Sequence, residues 1–119
     1  MPVRITRKLL SQRRPKSINA TILYQPPTSI TTSLVKTILV CNTTASNITF
    51  SLWLNDAAQA SGDDFAIYKD SSLIANETKI ISLVDESLVM RGNASSLLCS
   101  SSVASAINFT VFGAEVEES

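Results

Sequence analysis

The sequence predicts a single antiparallel β-sandwich, and three observations carry that prediction. Short apolar stretches with period-two alternation recur at roughly 8–12-residue spacing, separated by turn residues. Ser and Thr make up close to a quarter of the 119 residues, beside abundant Val and Ile, a composition that favours strands. No stretch sustains the i, i+3, i+4, i+7 pattern over ten residues, so a helical bundle is a poor fit. The length suits one domain. Seven or eight such strands fit a jelly-roll or an immunoglobulin-like sandwich.

The first 17 residues, "MPVRITRKLLSQRRPKS", lack clean alternation and read as an extended, basic N-terminal arm ahead of a sandwich spanning residues 18–119. "ATILYQ" is the first predicted strand, stopped by Pro26-Pro27, which cannot donate to a ladder. "TSLVKTILVC" is a long strand, apolar on both faces towards its end. "NTTASN" reads as a hairpin turn leading into "ITFSLWLN", where Ile48, Phe50, Leu52 and Leu54 alternate with Thr49, Ser51 and Trp53. "DAAQASGDD" is a loop. "FAIYKD" is a strand with Phe65 and Ile67 on one face. A turn at Ala75-Asn76 precedes a strand over residues 79–83, and "DESLVMRGN" holds a short strand ending at Gly92-Asn93. "AINFTVFGAEV" closes the series and leads into a short acidic tail. The predicted inward set is Ile38, Val40, Phe50, Leu52, Leu54, Phe65, Ile67, Ile80, Leu88, Ile107, Phe109 and Val111.

The net charge is zero, but six of the ten cations and none of the ten acids lie before Ser17. The chain therefore reads as a basic segment joined to an acidic body. The six cations, Arg4, Arg7, Lys8, Arg13, Arg14 and Lys16, are the predicted partner-binding residues. No aromatic side chain is interleaved with them, so base stacking on nucleic acid is unsupported. An acidic protein surface, including that of a neighbouring copy, suits the charge division better.

Catalytic chemistry has little to stand on. There is no His, and no Ser or Cys sits in a nucleophile-elbow setting. The carboxylate pairs Asp63-Asp64 and Asp85-Glu86 are adjacent residues, which a strand points to opposite faces. Asp56, Asp63, Asp64 and Asp70 lack calcium-loop spacing, and three glycines supply no phosphate cradle. Cys41 and Cys99 lack CxxC spacing and read as reduced, buried thiols, with a disulfide between two strands as the alternative. No enzyme, cofactor or metal is expected.

No apolar stretch of signal-peptide length follows the basic start, and the run at residues 38–41 is far short of the ~20 residues that span a bilayer. Six of the seven Asn residues (Asn19, Asn42, Asn47, Asn76, Asn93 and Asn108) stand in Asn-X-Ser/Thr sequons. Without an export signal, turn-forming Asn before Ser/Thr-rich strand starts is the preferred reading over glycosylation. Trp53 falls on the side of its strand opposite Phe50, Leu52 and Leu54. It is the predicted interface anchor, because Trp is enriched at the energetic centres of contacts. A second buried face or a covering loop is the structural alternative.

Residues 23–54, "LYQPPTSITTSLVKTILVCNTTASNITFSLWL", resemble a pattern found in small tailed-phage virion proteins. In that pattern a "YTVP"-like opening leads to an apolar strand ending in "VCN", then a polar turn and "TFSLW". "FAIYKDSSLIANETKIISL" is similar to the family's "LYYDLPLAANET" section, and "INFTVFGAEV" to its closing "VSVSVFGVEI". The resemblance covers residues 23–116 and leaves out the basic start. It departs at "QPPTS", where Pro-Pro replaces a Gly-containing turn.

The resemblance implies a small β-sandwich structural component of a phage particle. The expected function is a non-enzymatic virion structural protein in multiple copies, first of all a capsid decoration or cement protein. Its basic segment would contact neighbouring capsid or tail subunits, and assembly would take place in the host cytoplasm. A neck or tail component is the second expectation. A carbohydrate- or receptor-binding module, with Trp53 stacking on sugar beside the "NTTASN" loop, is the rival from another class.

Overall fold

The computed structural model describes residues 3–55, 66–83, 88–92 and 95–118. Nine strands are defined among them: β1 (Val3–Arg13), β2 (Thr21–Tyr24), β3 (Thr31–Asn42), β4 (Ile48–Asn55), β5 (Ala66–Leu73), β6 (Thr78–Ser82), β7 (Leu88–Arg91), β8 (Ser96–Ser101) and β9 (Ile107–Glu118).

Every ladder is antiparallel, and the pairing follows one rule. β1 pairs β9, β2 pairs β8, β3 pairs β6 and β7, and β4 pairs β5. The chain is thus a long ribbon folded back on itself about its middle. Two further ladders, β9 to β3 and β8 to β4, roll that ribbon into two sheets. The first sheet runs β1-β9-β3-β6 with β7 also on β3, and the second runs β2-β8-β4-β5. This wiring is that of a jelly roll, two Greek keys in a double sheet, and it decides against the immunoglobulin order.

The core lies between the sheets. Phe50 and Phe109 meet edge-on with ring centroids 6.3 Å apart, a geometry that adds about 0.5–1.5 kcal/mol beyond area burial. Around them Val35, Val40, Leu52, Leu73, Met90, Leu97, Ile107 and Val111 are fully buried. Ile38, Val40, Phe50, Leu52, Ile107, Phe109 and Val111 are inward as expected, and Leu54 packs against the cluster from a half-buried position. Phe65 lies outside the described residues, as does the side chain of Leu88.

Two members of the expected core are corrected. Ile80 is 66% exposed. Register decides between it and its neighbour: Ile81 pairs with inward Ile38, which leaves Ile80 outside opposite Leu39. Ile67 is also exposed, because irregularities in the β4–β5 ladder place Tyr68 opposite inward Leu52. Tyr68 then packs on Phe50 with centroids 5.7 Å apart.

Two further expectations change. Residues 3–13 are not a detached arm but β1, paired with β9 from Val3↔Glu118 to Arg13↔Phe109. Their alternation is hidden because a bulge between Leu9 and Ser11 breaks the period of two. "NTTASN" is not a hairpin within one sheet, since β3 and β4 lie in different sheets. It is an inter-sheet corner, built by Asn42. The Asn42 side-chain amide donates to the carbonyls of Ser46 (2.8 Å), Ile74 (3.0 Å) and Leu73 (3.3 Å). Its Oδ1 accepts from the backbone N–H and the hydroxyl of Thr44.

Candidate docking surface

The outer face of the first sheet is built from register upward. Leu9 pairs with Phe112, Ile5 with Val116 and Arg7 with Ala114. Ala114 in turn faces Leu34, which faces Val89, and Leu39 faces Ile80. Residues paired directly across a ladder share a face, so these apolar side chains form one surface. Ile5 (64%), Leu9 (47%), Phe112 (40%), Val89 and Ile80 remain well exposed on it. Apolar side chains clustered on one sheet face, rather than scattered singly, are the pattern of an interaction surface.

A second bulge, between Val35 and Thr37, leaves Lys36 outside the regular ladder. The two bulges fall on either side of Phe112 in the central strand, the first opposite the Val111-Phe112 step and the second opposite Phe112-Gly113. A Cβ at Gly113 would fall against the Leu34 carbonyl oxygen and the Leu10 side chain. Only glycine permits so close an approach of the neighbouring strand. The result is an open groove between Leu9 and Phe112, with Arg7, Lys8 and Lys36 at its rim.

The six predicted basic residues are not equivalent. Lys8 Nζ lies 3.0 Å from Glu115 Oε1, at the side of the sheet. Arg14 donates from Nε to the Ser105 carbonyl (2.9 Å) and from its terminal nitrogen to Thr43 Oγ1 (2.5 Å). It therefore staples the end of β1 to the loops beyond β8 and β3. Arg7, Arg13 and Lys16 are exposed. Arg13, Arg14 and Lys16 edge a second open groove with Pro15, Ser17 and Thr21. The side chain of Arg4 lies outside the described residues. The groove residues Leu9, Lys36 and Phe112 were not singled out from sequence. The one signal was a large ring, Phe112, on the otherwise polar side of its strand.

Trp53 is corrected as an exposed anchor. It does stand on the outer side of the second sheet, paired with Leu98, but it is only 6% exposed and Leu98 only 3%. Its indole Nε1 is buried without a hydrogen-bond partner. The second sheet is thus apolar and buried on both sides at this point, the structural alternative weighed for that ring.

Cys41 is half-buried, Cys99 is buried, and both are free. Burial pushes the Cys99 thiol up to about 12, which keeps it protonated and unreactive. Among the described residues no group of three or more His, Cys, Asp or Glu side chains could hold a metal ion. No helix among them is long and apolar enough to cross a membrane. The carboxylate pairs Asp63-Asp64 and Asp85-Glu86, with Asp56, lie outside the described residues.

No protein-family model and no curated protein matches the chain. Solved structures do. A structure of infectious bursal disease virus, Gt strain, superposes with a TM-score of 0.51 at 10% identity, covering 96% of this chain and 31% of that one. The VP2 subviral particle of infectious bursal disease virus gives 0.50 at 12% identity, covering 96% and 32%. The coat protein dimer of tobacco streak virus gives 0.45 at 10% identity, covering 99% and 87%. The chain spans about a third of the length of the bursal disease virus chains it matches. At these identities the first two likenesses establish the fold, the same jelly roll that the ladder order defines.

Proposed function

We propose that this chain is a non-enzymatic structural protein of a viral particle, present in multiple copies. In finer terms it is a bacteriophage capsid decoration protein that contacts neighbouring shell subunits through its basic first strand. The observation that carries the reading is the jelly-roll wiring joined to an apolar outer sheet face edged by cations. A sandwich that buries one face of a sheet and leaves the other apolar is suited to packing beside other subunits. The likeness to the bursal disease virus structures and the sequence resemblance to small tailed-phage virion proteins point the same way. Burial of Trp53 removes the feature that motivated a sugar-binding module.

Deleting residues 1–17 would strip an edge strand from the sheet, so charge reversal is the cleaner test. A variant combining Arg7→Glu, Arg13→Glu and Lys16→Glu is expected to keep its fold and lose incorporation, read by mass spectrometry of purified particles. Normal incorporation of that variant would sink the decoration reading.

A further inference from the structure

We propose that the free edge of β1 accepts one more strand, an extended acidic segment of a partner protein with apolar residues two positions either side of its carboxylate. That the partner is a neighbouring shell subunit rests on the particle reading; the strand chemistry does not.

Three observations carry it. First, β1 ends its sheet, with β9 as its one ladder partner among the described strands. Its other edge presents alternate N–H and C=O groups, a template for a further strand. The Ser11 hydroxyl donates to the Leu23 carbonyl and ties the far end of β1 to β2, whereas residues 5–9 are all exposed, on both faces of the strand. Second, this stretch is regular. The ladder runs from Val3↔Glu118 to Leu9↔Phe112 without a shift, and the bulge comes after it. No proline interrupts residues 3–13. Of the devices within a strand that blunt an edge (shortness, proline, a bulge, charge), residues 3–9 use charge alone. Third, that charge is of one sign. Arg4, Arg7 and Lys8 are the ionic residues of the stretch. Glu115 holds Lys8. Arg7 faces Ala114 across the ladder and has no ionic partner among the described residues. It stands between Ile5 and Leu9 on its face, a row reading apolar, cation, apolar.

The charge selects the occupant. The β1 strand of a second copy, laid alongside, would set cations beside cations, and like charges opposite one another destabilise a ladder. A strand reading apolar, acid, apolar at alternate positions instead sets a carboxylate against Arg7 and apolar side chains against Ile5 and Leu9. Main-chain hydrogen bonds hold such an added strand, and its alternate side chains give the specificity.

The experiment is residue-resolved amide hydrogen exchange of the full chain, read by NMR. The peptide acetyl-Thr-Val-Thr-Glu-Thr-Val-Thr-amide is added to about 1 mM, within reach of a weak contact. Alternate N–H groups over residues 4–8, those turned away from β9, are expected to exchange about twofold more slowly at half-saturation and more slowly still as the edge fills. A peptide with Lys in place of Glu, and one with Pro in place of the two Thr beside Glu, are expected to give no slowing. Arg7→Glu, at an exposed position, is expected to keep the wild-type circular dichroism and reverse the preference, losing the Glu peptide and taking the Lys peptide. Equal slowing by the proline peptide would show charge docking without an added strand and overturn the inference. Slowing of the same N–H groups by rising protein concentration alone would assign the edge to a second copy and overturn it too. No slowing by any peptide, in a protein that still enters particles, overturns it and leaves the particle reading intact. Peptide binding by the wild type, beside normal incorporation of the triple charge-reversal variant, would support the added strand while sinking the decoration reading.

Discussion

Tyr24 Oη donates to Glu115 Oε2 at 2.7 Å, and that hydrogen bond ties the second sheet to the first. The other oxygen of the same carboxylate holds Lys8 at 3.0 Å, and Ser33 Oγ lies 2.6 Å from the Tyr24 hydroxyl. Strands β1, β2, β3 and β9 are thereby joined at one end of the sandwich by polar groups, where the apolar core ends.

Burial, opposed by the Ser33 hydrogen bond and reinforced by Glu115, raises the Tyr24 hydroxyl well above its ordinary value of 10. A folded-state value above the unfolded one means that the native state holds the proton more tightly. The stability this contributes is complete below pH ~10 and falls as pH rises beyond it. Tyr24→Phe is expected to cost about 1–2 kcal/mol at neutral pH, for one lost hydrogen bond to a charged acceptor. It should also flatten the alkaline decline. Urea denaturation at pH 7 and at pH 10.5 checks both.

Asn42→Ala is expected to destabilise by about 2–3 kcal/mol, because it strands the buried Leu73 carbonyl and weakens satisfaction of Ser46 and Ile74. The measurement is the urea midpoint at constant slope. A loss below about 0.5 kcal/mol would mean that water replaces the side chain at the corner.

Gly113→Ala should cost about 2–3 kcal/mol, since its Cβ meets the backbone carbonyl of Leu34 and overpacking against backbone relaxes poorly. Thermal unfolding followed by circular dichroism reads it. An unchanged midpoint would show that β3 can move away from β9 without penalty.

Native protein treated with iodoacetamide at pH 8 is expected to label at half-buried Cys41 long before Cys99, whose thiol burial holds protonated. Peptide mass spectrometry should find Cys99 modified only after denaturant is added. Fast labelling of both residues would contradict the buried environment of β8.

Much of this fold was legible where alternation was clean. β4 and β9 read correctly from Ile48, Phe50, Leu52 and from Ile107, Phe109, Val111, because in each strand these core-facing residues keep an unbroken period of two. β8 did not stand out, since Leu97, Leu98 and Cys99 are buried on both sides of a central strand and so show no period. β1 was hidden by its bulge, and Ile80 was misplaced because only the β3 partner decides between two adjacent isoleucines. The docking face was illegible for a further reason. Its members lie on five strands, and register alone gathers Ile5, Leu9, Leu34, Val89, Ile80 and Phe112 onto one surface. Three of the sequon Asn residues serve turns or corners, whereas Asn108 lies within β9 opposite Cys41. Asn42 builds the corner, Asn47 Oδ1 accepts from the Ala75 N–H, and Asn76 takes the left-handed backbone, φ 60°. Asn93 lies outside the described residues.

The pairing of β1 with β9 also bears on the order of events in folding. Leu9 meets Phe112 and Arg7 meets Ala114, contacts that span most of the chain. Closing so long a loop has to precede the hydrogen bonds that reward it, which makes such topologies slow. While the chain is being made, β1 emerges first and must wait for β9 before it has a neighbour in its sheet. During that interval Ile5, Leu9 and Leu10 are held in solution by the cations between and around them. The basic character of the first strand then has a second use, as protection of a hydrophobic edge from premature pairing.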